Sequence, residues 1–251
     1  MTKIIIFRIA VFLIFLTLSF LLSTNYQDMV GFALVLSVGL IHGANDLLII
    51  KKNSKSISNF SQFRTFFAYI GVVFVGLIFF YLIPSFALIT FILVSIYHFG
   101  EQHIQAIPIT RKLRSNYRVI SIVSHGIILF TIIFMNNIEV VNNVFLSFKI
   151  NFLSSNTLNL ILVTVTVVYM STLVINKYLT SFIISEILFF VLFYFLSLSS
   201  TLILCFSVYF IFFHSILSIK DQVKYIYGSN DTISLKRYLL NSMPYFILAI
   251  I

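Results

Sequence analysis

The stretch GLIHGANDLLII, Gly39 to Ile50, lies inside the apolar run Met29–Ile50 and carries a histidine, an asparagine and an aspartate. Read as a helix, it places His42 and Asp46 four residues apart on one face. The rest of the chain decides whether that helix sits in water or in lipid. Of 251 residues, 60% are hydrophobic and 9% charged, and the mean hydropathy is +1.09. A soluble domain of this size needs far more polar surface. Apolar runs of the length a bilayer core requires, about 20 residues, recur along the chain. Strict alternation of apolar and polar residues is absent, which excludes a β-barrel reading.

The expected fold is therefore all-α, a polytopic transmembrane helical bundle of about 8–9 spans forming a single integral-membrane domain over residues 1–251. The spans read as Ile4–Ser23, Met29–Ile50, Thr65–Ile83, Phe86–Ala106, Arg118–Asn136, Thr157–Ile175, Ser181–Leu198 and Ser200–Ile219. A ninth begins near Leu240 and stops within MPYFILAII, so a short or truncated last span is expected. The first run lacks a small-x-small cleavage pattern after it and reads as an uncleaved helix rather than a signal peptide.

Of the sixteen Lys and Arg, all but Lys149 fall at the N-terminus or in loops after even-numbered spans. Basic loops stay on the cytoplasmic side, so the N-terminus is expected there, in the plasma (inner) membrane of the cell. These loops account for the net charge of +9 and make a nucleic-acid partner unnecessary. A lone Cys205 allows no disulfide within the chain and reads as a small buried hydrophobe.

Ionisable groups within a bilayer are costly and call for a reason. The five histidines are His42, His98, His103, His125 and His214. By helix rise, His42 lies about 13 Å before Lys51, His214 about 9 Å before Lys220, and His125 about 10 Å inside Arg118. His98 closes the span that ends in YHFGEQH. Four spans thus bring histidines to a similar depth in the cytoplasmic half. Imidazole is the commonest protein ligand for transition metals, so a polyhistidine metal site is expected. For any one histidine alone, hydrogen bonding near the interface is the plainer reading. Asp46 and Glu101 stand at helical spacing from His42 and His98, where a carboxylate can orient a metal-bound imidazole. Gly43 and Gly100 allow either close helix packing or room beside a metal. Glu186 in the seventh span reads equally as a ligand, an orienting group or a buried hydrogen-bonded acid.

The segments HGANDLL, YHFGEQH and FFHSILSIKDQ, in this order, resemble the Brp/Blh family of membrane β-carotene 15,15′-dioxygenases, with its HGxxD, HFG and C-terminal histidine motifs. The resemblance covers the second span through the eighth. It implies cleavage of β-carotene, drawn from the lipid phase, at its central double bond with O₂. The product is retinal, available to a rhodopsin. It further implies Fe(II) bound by histidines, with His42, His98 and His214 as ligands and Asp46 as the motif's aspartate. The chain departs from the pattern at Ser218, where the family's HxxxH pair has its second histidine. His125 is then the leading candidate for a fourth iron ligand, with His103 next.

Other classes fit less well. No lysine sits mid-span in a late helix for an opsin's Schiff base, and five histidines are too few for a membrane di-iron desaturase. A haem protein would need two of the histidines to face each other across the bundle. A transporter using intramembrane His, Asp and Glu as an ion or proton relay is the main alternative, but no inverted repeat or broken-helix pair supports it.

Overall fold

The computed structural model describes residues 2–45, 49, 59–107, 115–175 and 182–250. Helix follows helix throughout, and no strand occurs among the described residues. The order is α1 (Thr2–Leu21), α2 (Thr24–Leu34), a π-helical segment Val35–Gly39, α3 (Leu40–Ala44), α4 (Asn59–Leu82), α5 (Pro84–Ala106), α6 (Ser115–Asn136) and α7 (Ile138–Ser147). Then come α8 (Ser155–Ile175), α9 (Ile183–Ser199), α10 (Leu202–Val208), a second π-helical segment Tyr209–Ser215, α11 (Ile216–Tyr227) and α12 (Thr232–Ile250).

Among the described residues, four stretches are long and apolar enough to cross a membrane: Pro84–Ala106, Asn116–Asn136, Ser155–Ile175 and Leu202–Tyr227. Shorter apolar helices, Ile5–Leu21, Ile70–Leu82 and Ile183–Ser199 among them, occupy other expected spans. The expected span Met29–Ile50 is not one regular helix, because the π-helical segment interrupts it. Helix α7 falls in a stretch read from sequence as a loop. The loop charges used for orientation at residues 51–58, 111–114 and 177 lie outside the described residues.

Helix ends follow local chemistry. Pro84 opens α5, where its missing N–H costs nothing. The Thr201 hydroxyl accepts the Leu204 N–H to cap α10. Gly228, at φ 84°, closes α11 in the left-handed conformation that glycine adopts without strain. The buried Gln27 amide donates to the Ser19 carbonyl at 2.8 Å, and its oxygen accepts the Thr201 N–H at 2.9 Å, tying the α1–α2 turn to the start of α10.

Apolar side chains both fill the core and cover the outside. Phe12, Phe189, Phe193, Tyr169 and Tyr209 are fully buried against one another, while Val72, Phe74, Leu82 and Leu160 are more than half exposed, as on a lipid-facing surface. Cys205 is buried and free, as expected. Gly100 and Gly126 let α5 and α6 touch backbone to backbone. A Cβ on Gly100 would stand 2.0 Å from the Ile122 carbonyl oxygen, and one on Gly126 would stand 2.0 Å from that of Ile96. Of the two readings open for Gly100, close packing is the one the structure bears out. A Cβ on Gly43 would meet nothing within 4 Å.

Candidate metal centre

His42 sits on α3, His98 on α5 and His214 within the second π-helical segment. The fold brings one ring nitrogen of each within 4.8 Å of the others. The His42 and His214 rings are 5.2 Å apart at 88°, and those of His98 and His214 are 4.6 Å apart at 66°. An imidazole lone pair lies in its ring plane, so crossed planes can aim several nitrogens at one point.

Each position has a local cause. The two π-helical segments pack against each other, and Phe210 of one fills the space that Gly39 of the other leaves open, 2.8 Å from where a Cβ would stand. A π turn widens the helix and shifts the residues after it around the axis, a device common at functional sites. Here the first shift precedes His42 and the second contains His214. Phe210 stacks on the His214 ring at 5.6 Å and 16°, and Phe99 packs on it at 4.9 Å. On α12, the Tyr238 hydroxyl lies 3.5 Å from the carbonyls of Ile41 and His42 and also bonds Gln222. The Asn45 amide donates to the Tyr238 carbonyl at 3.3 Å. The end of α3 that bears His42 is thereby pinned.

The residues fit a metal ion. Both ring nitrogens of His214 and Nδ1 of His42 are buried without a hydrogen-bond partner. A buried polar atom left so costs about 1–3 kcal/mol, and a bound cation would remove that cost at one nitrogen of a ring it takes. His98 is exposed, so the group opens to the surface on that side.

His125 stands elsewhere. It joins His103 and Glu186 in a second buried group. The His103 and His125 rings stack at 3.7 Å and 21°, and His125 Nδ1 lies 3.8 Å from Glu186 Oε2. Both fourth-ligand candidates therefore stand in a group with Glu186 on α9 rather than with the triad. Depth alone had placed His125 with the triad; the face it presents on α6 decides otherwise. Around Glu186, His103 Nε2 donates to Oε2 at 2.9 Å, the Tyr169 hydroxyl donates to Oε2 at 2.8 Å, and Arg8 Nη1 donates to Oε1 at 2.9 Å. Arg8 also bonds the Ser185 hydroxyl at 3.0 Å and crosses the Phe189 ring at 5.1 Å. Arg8 and Tyr169 were not singled out from sequence. The sequence signal for Arg8 is a guanidinium inside an apolar run, which the distribution of basic residues absorbs as an orientation charge.

The expected orienting carboxylates fare differently. Asp46 lies outside the described residues. Glu101 pairs at the surface with Arg118 at 3.6 Å, an ion pair with both partners in reach of solvent. Next to it Gln102 donates to Asp221 at 3.3 Å, linking α5 to α11. Ser218 is half-buried on α11.

Fold and site together define an all-helical protein, rich in apolar spans, with three histidines gathered as a metal ion would require. The chain belongs to the beta-carotene 15,15′-dioxygenase family, which it matches over residues 33–251. That range contains His42, His98 and His214 and begins after Arg8. Searches of curated proteins and of solved structures returned no significant match.

Proposed function

We propose that the protein is a membrane oxygenase that cleaves β-carotene, or a closely related carotenoid, at its central double bond to give retinal. One C=C bond is broken, and each of its carbons takes one oxygen atom from O₂. The observation that carries the reading is the convergence of His42, His98 and His214 within 4.8 Å in a chain of this family. Fe(II) held by these residues would supply the redox-active centre that uses O₂, a role zinc lacks.

The chain's own residues have distinct tasks in this reading. His42, His98 and His214 hold the ion. Phe99 and Phe210 fix the His214 ring and keep water from it. The exposed side at His98 gives a lipid-dissolved polyene access without leaving the apolar phase. Asp46, which follows His42 in the HGAND stretch, is proposed to orient that imidazole. With His103 bonded to Glu186 and His125 stacked on His103, three histidines and solvent make up the proposed centre. The finer topology, about eight or nine spans in the plasma membrane with a cytoplasmic N-terminus, rests on the apolar runs and the distribution of basic residues. A transporter reading is weaker, because Glu186 already has Arg8, His103 and Tyr169 as partners.

Expression in a β-carotene-producing bacterium tests the reaction. Loss of orange colour with retinal in the extract is the expected result. Colour retained by a well-expressed, iron-loaded protein would overturn the assignment.

A further inference from the structure

Helix α5 carries one histidine of each group. His98 faces His42 and His214, and His103, five residues on, faces Glu186. Five residues turn an α-helix by about 140° and advance it about 7.5 Å, so one rotation of α5 sets both directions. Between the two histidines Gly100 presses on the Ile122 carbonyl. That contact fixes how close α5 comes to α6, but it contributes no side-chain hydrogen bond to hold the rotation. At the surface α5 is tied by Gln102 to Asp221 and by Glu101 to Arg118; its buried directional bond is His103 to Glu186 Oε2, a carboxylate that Tyr169 and Arg8 also bond. The Arg8–Glu186 pair is buried, with side-chain exposures of 11% and 1%.

The second group is a poor metal site in its own right. Its two imidazoles are nearly parallel, so their lone pairs run side by side. Its one carboxylate is already bonded by Arg8, His103 and Tyr169, although both ring nitrogens of His125 have no hydrogen-bond partner.

We infer that Arg8 and Glu186 are positioning residues for the three-histidine centre. They hold His103, and through the rotation of α5 they hold His98 in line with His42 and His214. The inference rests on reading that triad as the metal site. It gives α1, which lies ahead of the family-matched stretch, a part in building the centre.

Cobalt(II) provides the test, because its visible absorption reports the number and geometry of its ligands. The purified full-length protein is titrated alongside Arg8→Gln, Glu186→Gln and the double variant. Arg8→Gln takes the guanidinium from the Glu186 carboxylate and Glu186→Gln takes the carboxylate from the guanidinium; the double variant removes both charges. Each single is expected to bind cobalt about 10–100-fold more weakly, as when a group supporting a metal ligand is lost, with an altered spectrum. The double variant is expected to recover towards wild type. Folded single variants with wild-type affinity and spectrum would overturn the inference, as would a double variant no better than the singles. Should the singles not fold, His103→Asn keeps the ion pair and removes only the ring; a wild-type cobalt spectrum there would also overturn it. A wild-type protein that binds no cobalt brings down the three-histidine reading itself, and the inference with it.

Discussion

His98 and His103, five residues apart on one helix, serve two different groups: His98 meets His214 at 4.6 Å between ring centres, and His103 stacks on His125 at 3.7 Å. The division separates a centre of crossed imidazole planes from a buried ion-pair network, and the predictions follow from it.

Substituting any one of His42, His98 or His214 by alanine should abolish metal binding while helicity persists. Elemental analysis should find about one iron per chain in wild type, as one three-histidine group implies, and background iron in each variant. Circular dichroism should be unchanged. Iron retained at wild-type level in any of the three would remove that residue from the centre.

His125→Ala should keep its iron, since the ring lies against His103 and Glu186. Its cost should appear in stability, by about 0.5–3 kcal/mol, the common range for a disturbed buried site. Thermal unfolding in detergent, with iron assayed on the same sample, separates the two effects. Loss of iron from a protein of unchanged stability would return His125 to the list of ligands.

Chelation should abolish carotenoid cleavage, and Fe(II) should restore it where Zn(II) does not, because zinc has no redox chemistry. Equal restoration by zinc would exclude the oxygenase mechanism.

Ser218→His should strengthen metal binding. Position 218 follows His214 by four residues and shares its helix face, and it is half-buried. The measurement is the rate of iron loss to a chelator, expected to be slower than in wild type. An unchanged rate would mean that position 218 does not face the triad.

Gly100→Ala should damage the fold rather than the chemistry alone. Its Cβ would stand 2.0 Å from the Ile122 carbonyl oxygen, and overpacking of this kind costs about 1–3 kcal/mol. Gly43→Ala, with nothing within 4 Å, should be tolerated. Comparing the two by yield of monodisperse protein checks both expectations.

Much of the site was legible because its signals are local. HGANDLL, YHFGEQH and FFHSILS each carry their histidine within a few residues of the context that marks it, and those three histidines are the ones the fold gathers. His125 was assigned by depth, which counts residues from a helix end and says nothing about direction around the axis. Glu101 was assigned by spacing from His98, but spacing does not reveal that Arg118 competes for it at the surface. Arg8 was read as a topological charge, because its partner Glu186 is 178 residues away.

The sequence by itself determined an all-helical, strongly apolar chain, its histidine motifs and its family. Those properties are carried by composition and by runs of neighbouring residues. Only the tertiary structure decided which imidazoles share a centre. That choice depends on helix phase and spacing: on π-helical segments at Val35–Gly39 and Tyr209–Ser215, on glycine contacts that set how close α5 comes to α6 and on the Arg8–Glu186 pair. Each of these joins residues remote in sequence or alters helix phase without a local signature, and so each is fixed by packing rather than by pattern.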